Sequence, residues 1–125
     1  MKGLGIVLGA GLLAAGLVAA SFGSLIQHAP MSATEFRNPF DGNEQVQRAG
    51  AKLYARECAS CHGENREGRR NAPPLIQQEV YVAAPGTLFW VLRNGSLHRG
   101  MPSFAHLPEL QRWQIITFLQ SGTKH

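Results

Sequence analysis

The chain has 125 residues, 12 basic and 8 acidic side chains, and a formal net charge of +4. Without its apolar N-terminus, roughly 100 residues remain, which is a marginal amount of core for one small domain. The small positive excess is compatible with docking onto an acidic surface, but no stripe of basic residues with interleaved aromatics is present, so we expect no nucleic-acid binding.

Residues 1–26 form an export element, the leader. It carries one charge, Lys2, followed by an apolar stretch over residues 4–26. This stretch is longer than the usual signal-peptide core of about 7–15 residues, and at about 1.5 Å per residue a helix of this length spans a hydrocarbon layer of roughly 30 Å. Residues 18–20 also form a cleavage site before Ser21. The leader is therefore a signal peptide or an uncleaved membrane anchor, and we favour the anchor.

Residues 27–42 contain prolines together with Ser, Thr and Asn and lack helical periodicity, which predicts a flexible linker. Asp41 and Glu44 form a capping box that predicts the start of the first domain helix, and the domain is predicted to span residues 43–122. Small and apolar side chains then recur at helical spacing, at Val46, Gly50, Leu53 and Tyr54.

The pentapeptide at residues 58–62, Cys-Ala-Ser-Cys-His, supplies two thiols and an imidazole. Cys58 and Cys61 sit about one helical turn apart, so each thiol can add to one porphyrin vinyl group while His62 reaches the iron. A zinc site would need a second ligand pair, and a redox dithiol would need a strand and a βαβ context; neither appears. The motif predicts one covalently bound haem c.

Met101 is the predicted sixth ligand of the iron. Of the other two methionines, Met1 is the initiator and Met31 lies in the predicted linker. Met101 sits in a tight loop between Gly100, which permits close backbone approach, and Pro102, which stiffens the exit. A thioether stabilises ferrous iron, so His/Met ligation raises the reduction potential.

Three alternatives compete with this prediction. Met101 could be a side chain that fills a gap in the core. His98 and His106 could ligate the iron instead, but neither has the flanking Gly and Pro, and both are more typical of the surface or of the haem edge.

The remaining segments predict loops and helices. Residues 64–70 alternate basic and acidic side chains, as in a solvated loop. A second helix is predicted over residues 87–94, with Gly95 at a left-handed C-cap, and a third from Pro108 to Gly122. No alternating run is long enough for a sheet, so the predicted fold class is all-α.

These residues resemble the class I cytochromes c, small monohaem proteins with His/Met ligation, in their short bacterial periplasmic form. The resemblance covers about residues 43–121. It rests on the order and spacing of four motifs: Gly50, Tyr54 and Cys58 on one helix face, Ala72-Pro73-Pro74-Leu75, the stretch from Thr87 to Gly95, and Gly100-Met101-Pro102. It implies three main helices and loops around one haem, and a hydrogen bond from the ligand His62 to the carbonyl of Pro73.

The resemblance also implies a function. Members carry electrons in the periplasm, so the expected role is a relay between a dehydrogenase or quinol-oxidising complex and a terminal acceptor, without enzymatic activity. Its partners would be redox proteins, and its place the periplasm or the outer face of the cytoplasmic membrane, anchored through residues 4–26. The alternative is a haem enzyme or gas-binding protein with a labile sixth ligand. A structural or assembly subunit of a larger complex, whose haem still relays electrons, is a third interpretation.

Overall fold

The structure is a computed structural model that describes Gly5 and residues 25–122. Within these residues the chain is helical and contains two isolated β-bridges but no strand, which confirms the predicted all-α class. The α-helices are α1 (Glu44–Glu57), α2 (Ala59–His62), α3 (Gln78–Val82), α4 (Pro85–Asn94) and α5 (Glu109–Gln120), and the 3-10 helices are Met31–Glu35 and Leu97–Arg99.

The predicted apolar helix of the leader lies almost entirely outside the described residues. Among the residues that are described, none belongs to a helix long and apolar enough to cross a membrane.

Helix α1 begins later than the capping prediction placed it. The side chain of Asn43, not of Asp41, caps the helix, because its Oδ1 accepts a hydrogen bond from the backbone N–H of Val46 at 3.0 Å. Asn43 has an extended backbone, which aims its amide oxygen at the free N–H groups of the first turn. Glu44 still lies in that turn, where a carboxylate is favourable.

Helices α1 and α5 pack closely against each other. A Cβ atom added to Gly50 would lie 1.9 Å from the backbone oxygen of Gln114, so only glycine permits this approach. One turn further along α1, the ring of Tyr54 packs against the ring of Phe118 with centroids 5.4 Å apart. Ile115 and Ile116 of α5 are fully buried beneath this contact.

The other two predicted helices are confirmed with small shifts. Helix α4 starts at Pro85, which occupies the first turn as proline often does, and ends at Asn94. Gly95 has a positive φ of 62°, but its ψ of −165° lies outside the left-handed helical region. Helix α5 follows Pro108, its N-cap residue, and ends at Gln120.

Residues 27–42 differ from the flexible linker that their composition predicts. Met31–Glu35 forms a 3-10 helix, and Ala33 within it is buried. Asn38 hydrogen bonds to Thr117 of α5, and Phe40 packs against the core. Packing against α4 and α5 orders this segment although its sequence has no helical periodicity.

We expect Gly50→Ala to lower the free energy of unfolding by about 3 kcal/mol, because the added methyl group meets backbone and cannot rotate away. Helix propensity alone would favour alanine by about 1 kcal/mol. Chemical denaturation measures the net effect. The control is Ala55→Gly at an exposed position of α1, which should cost about 1 kcal/mol through propensity alone. A Gly50→Ala protein as stable as the parent would contradict the contact.

Candidate functional site

One cavity of about 1250 Å³ collects all of the predicted site residues. Its lining includes Cys58, Cys61, His62, Pro73 and Met101. Cys58 lies between α1 and α2, where it caps the end of one helix and the start of the next, and Cys61 and His62 belong to α2. Residues that lie far apart in the sequence therefore share one cavity.

The two thiols differ in environment. Cys58 is buried and Cys61 is exposed, and neither forms a disulfide. Burial raises the pKa of the Cys58 thiol to about 12, and the nearby Glu57 and Cys61 act in the same direction. A redox dithiol works through a thiolate of lowered pKa, so this environment disfavours that alternative. It suits a thiol whose S–H adds across a vinyl double bond.

The imidazole of His62 is held in one orientation. Its Nδ1 lies 2.8 Å from the carbonyl oxygen of Pro73. Because a carbonyl can only accept, the proton sits on Nδ1 and leaves the lone pair of Nε2 for a metal. Burial lowers the pKa of His62, although the hydrogen bond to Pro73 works in the opposite direction, so the neutral form is favoured. The contact is the one that the family resemblance implies.

Tyr54 adds a contact that the sequence analysis missed. Its hydroxyl donates a hydrogen bond of 2.7 Å to the carbonyl of Gly63, the residue that follows His62. Gly68 N–H donates to the carbonyl of His62 itself at 2.7 Å, so the backbone beside the imidazole is fixed by two hydrogen bonds. A buried tyrosine needs a partner for its hydroxyl, and this was the signal available in the sequence.

The loop that carries Met101 is closed by a two-way backbone contact. Ser96 N–H donates to the Met101 carbonyl at 2.8 Å, and Met101 N–H donates to the Ser96 carbonyl at 3.0 Å. Gly100 has the left-handed conformation, with φ 81° and ψ 7°, that lets the chain turn back. Met101 is half-buried against the core and lines the cavity.

The two competing histidines reach the same cavity. His98 and His106 both line it, and both are exposed. The Nδ1 atom of His98 lies 3.5 Å from the Ser96 hydroxyl, and the ring of His106 lies 6.0 Å from that of Phe104. Met101, by contrast, is half-buried and packs against the core.

The cavity fits a haem. Its wall is apolar, as a porphyrin face requires, and it presents two thiols, an imidazole nitrogen and a thioether to one space. The apolar lining comes mainly from α4, α5 and the neighbouring loops: Leu75, Leu88, Val91, Leu92, Phe104, Ile115 and Leu119. Three arginines also line the cavity and would pair with the propionate carboxylates of a haem: Arg69, Arg70 and Arg99.

The donor set does not fit zinc. In the part of the chain that the structure describes, no three or more His, Cys, Asp or Glu side chains are grouped so that they could hold a metal ion. A structural zinc site needs four such ligands, and a catalytic one needs three.

Comparisons with known proteins agree with this site. The family described as cytochrome C oxidase, cbb3-type, subunit III matches residues 45–119. The fold is similar to cytochrome CL of Methylophaga aminisulfidivorans MPT, with a TM-score of 0.57 and 23% identity over 68% of this chain and 58% of that one. It is also similar to cytochrome cL of Hyphomicrobium denitrificans, with a TM-score of 0.55 and 18% identity over 76% of this chain and 64% of that one.

The chain thus spans less than two thirds of the length of either cytochrome cL. No curated protein sequence matches it. At these identities the similarity to the two cytochromes establishes the fold, which is that of a cytochrome c.

Tyr54 gives the site a testable pH dependence. Burial raises the pKa of its hydroxyl from 10.0 to about 12, so the unfolded chain ionises before the folded one. The stability that follows from this difference is fully present below pH 10 and is lost as the pH rises to 12. We expect the free energy of unfolding of the haem-loaded protein to fall over this window.

In the variant Tyr54→Phe, the free energy of unfolding should decrease less over this pH window. The variant should also be less stable by about 1 to 2 kcal/mol below about pH 10, because the buried Gly63 carbonyl loses its donor. Tyr81→Phe is the matched control and should keep the parent's steep dependence. If the free energy of unfolding depends on pH equally in the parent and in Tyr54→Phe, the Tyr54 hydroxyl is not buried in its bond to Gly63.

Proposed function

We propose that this chain, which belongs to the family described as cytochrome C oxidase, cbb3-type, subunit III, relays electrons in the periplasm. It is a c-type cytochrome that binds haem c covalently and transfers electrons. The proposed donor is a dehydrogenase or quinol-oxidising complex, and the acceptor is a terminal oxidase or a similar redox protein. The observation that carries the proposal is that the cysteines, the oriented imidazole and the thioether line a single cavity.

Each site residue has a proposed role. Cys58 and Cys61 form the thioether bonds, and His62 binds the iron through Nε2. The Pro73 carbonyl accepts the Nδ1 proton and so fixes the tautomer and the ring orientation, as the hydrogen-bond partners of ligand histidines do at metal sites. Met101 would bind the iron through its thioether sulfur. Haem supplies an iron that changes between ferric and ferrous states.

The protein's part in electron transfer would be to hold His62 and Met101, the two side chains that would bind the iron. His62 is fixed at its backbone carbonyl by Gly68 N–H and at its ring by Pro73. Met101 is fixed by its backbone pair with Ser96. If His62 and Met101 both bind the iron, no substrate would need to reach the metal. This supports a carrier over an enzyme.

A second candidate is a haem enzyme or gas-binding protein whose Met101 ligand is labile. The observation in its favour is that His98 and His106 are exposed and line the same cavity, where they could act on a bound molecule. Carbon monoxide distinguishes the two functions, because it needs a vacant position on ferrous iron.

We expect Met101→Ala to bind carbon monoxide readily and to have a lower reduction potential, because the ligand that favours ferrous iron is gone. The parent should bind carbon monoxide poorly at neutral pH. Visible spectra with and without carbon monoxide, and a redox titration, measure both effects. In haem-stained denaturing gels, parent and variant should both retain haem through Cys58 and Cys61.

His98→Ala and His106→Ala are the matched controls and should leave the visible spectrum nearly unchanged. Fast binding of carbon monoxide by the parent would favour the second candidate. The same conclusion would follow if a histidine variant, and not Met101→Ala, changed the ligation spectrum.

The domain boundaries and the location are also proposed. Residues 43–122 carry the haem, and the apolar stretch over residues 4–26 anchors the protein at the outer face of the cytoplasmic membrane. Its spanning part ends before Leu25, because Leu25 lines the cavity and Ile26 packs against the core. The support for the anchor is the length of the apolar stretch relative to a bilayer's hydrocarbon layer of roughly 30 Å.

We expect the protein to remain in the membrane fraction through a high-salt wash and to leave only with detergent, because salt screens surface charge but does not extract a spanning helix. Fractionation followed by haem staining measures this. Recovery in the soluble periplasm, with an N-terminus at Ser21 or Ser24, would contradict the anchor and support cleavage.

A further inference from the structure

Residues 25–40, here named the N-terminal strap, precede α1 and lie outside the part of the chain that the family matches. Leu25 lines the proposed haem cavity, and Ile26 packs against the core. We propose that the strap closes one wall of that cavity and that Leu25 is a further residue of the haem site, where it excludes water and raises the reduction potential. The inference rests on the proposed function, in which this cavity holds the haem.

The first attachment of the strap is to helix α4. Ala33 is only 4% exposed, and a Cβ added to Gly86 would lie 1.9 Å from its backbone oxygen. The same added atom would lie 2.8 Å from Cβ of Phe36. Glycine within a helix costs about 1 kcal/mol relative to alanine, so Gly86 lowers helix propensity where the strap needs the room.

The second attachment is to helix α5. Asn38 Nδ2 donates to the Thr117 hydroxyl at 2.8 Å, and that hydroxyl donates to the Trp113 carbonyl at 2.8 Å. Asn38 Oδ1 in turn accepts from Phe40 N–H at 2.9 Å. The Asn38 side chain therefore binds α5 through its Nδ2 and fixes the strap's own backbone through its Oδ1.

The two attachments couple the strap to the cavity. Helices α4 and α5 supply cavity walls through Leu88 and Ile115, and the strap is bound to the same two helices. Its upstream end then places Leu25 in the cavity lining. Cleavage before Ser21 would leave Leu25 in the mature chain, so this position is retained whether the leader is a signal peptide or an anchor.

An aliphatic side chain at this wall acts through solvation. The hydrophobic shell around a metal site controls solvent access and dielectric, and hence the reduction potential. Ferric haem carries one more positive charge than ferrous haem, so water at the wall stabilises the ferric form. Removing the side chain therefore lowers the potential without touching either axial ligand.

The first test is Leu25→Ala in the full haem-loaded protein. We expect its midpoint potential to fall below that of the parent while its visible spectrum still shows both axial ligands in place. Leu110→Ala is the matched control, since Leu110 is 60% exposed on α5 and does not line the cavity. Equal potentials for Leu25→Ala and Leu110→Ala would overturn the inference.

The second test is Gly86→Ala, which should displace the strap by placing a methyl group against Ala33. We expect trypsin to cleave after Arg37 roughly tenfold faster in the native protein, because overpacking at Gly86 raises the population in which the strap has opened locally. The midpoint potential should also fall. Thr34→Ala is the control, because its hydroxyl bonds only within the strap, to the carbonyl of Met31 at 2.7 Å. Unchanged cleavage in Gly86→Ala would contradict the attachment to α4.

The outcomes separate the inference from the proposed function. If the parent has no covalent haem, or if its spectrum shows an open sixth position, the proposed function itself is wrong. If the parent binds haem normally but Leu25→Ala and Leu110→Ala have the same midpoint potential, only the strap inference is wrong. If Gly86→Ala fails to fold with haem, Leu25→Ala decides the question by itself.

Discussion

The close approach of helices α1 and α5 at Gly50 is the constraint on which the rest of the domain depends. Contact between a helix backbone and the Gln114 carbonyl sets the distance between the two helices. It thereby positions α1, whose last residue is Glu57, and the Cys58 that follows it. The opposite helix brings Ile115 to the same cavity. A larger residue at position 50 would move both walls at once.

Apart from that contact, hydrogen bonds to backbone groups hold the short segments that carry the residues of the cavity. Pro73 orients the imidazole of His62, and Tyr54 holds the carbonyl of Gly63. The pair of bonds between Ser96 and Met101 holds the loop that carries Met101. A small domain has little core with which to fix such loops, so most of the precision comes from backbone groups that would otherwise be unsatisfied.

The N-terminal strap changes how the domain is delimited. Composition predicted a flexible linker before residue 43, yet Ala33 is buried against α4 and Asn38 is bonded to α5. The physical reason is that Gly86 opens a space on α4 that a backbone carbonyl can enter. In a chain with a marginal core, an added segment that covers the cofactor's wall contributes stability as well as shielding.

The sequence by itself determined the chemistry: the spacing of Cys58, Cys61 and His62 and the flanks of Met101 predict a covalent haem c with two axial ligands. It also determined the three longer helices, α1, α4 and α5, since their apolar periodicity and end signals are local. Tertiary structure decided the bond from Tyr54 to Gly63 and the position of the strap. These contacts depend on which distant groups meet, and no local pattern encodes that meeting.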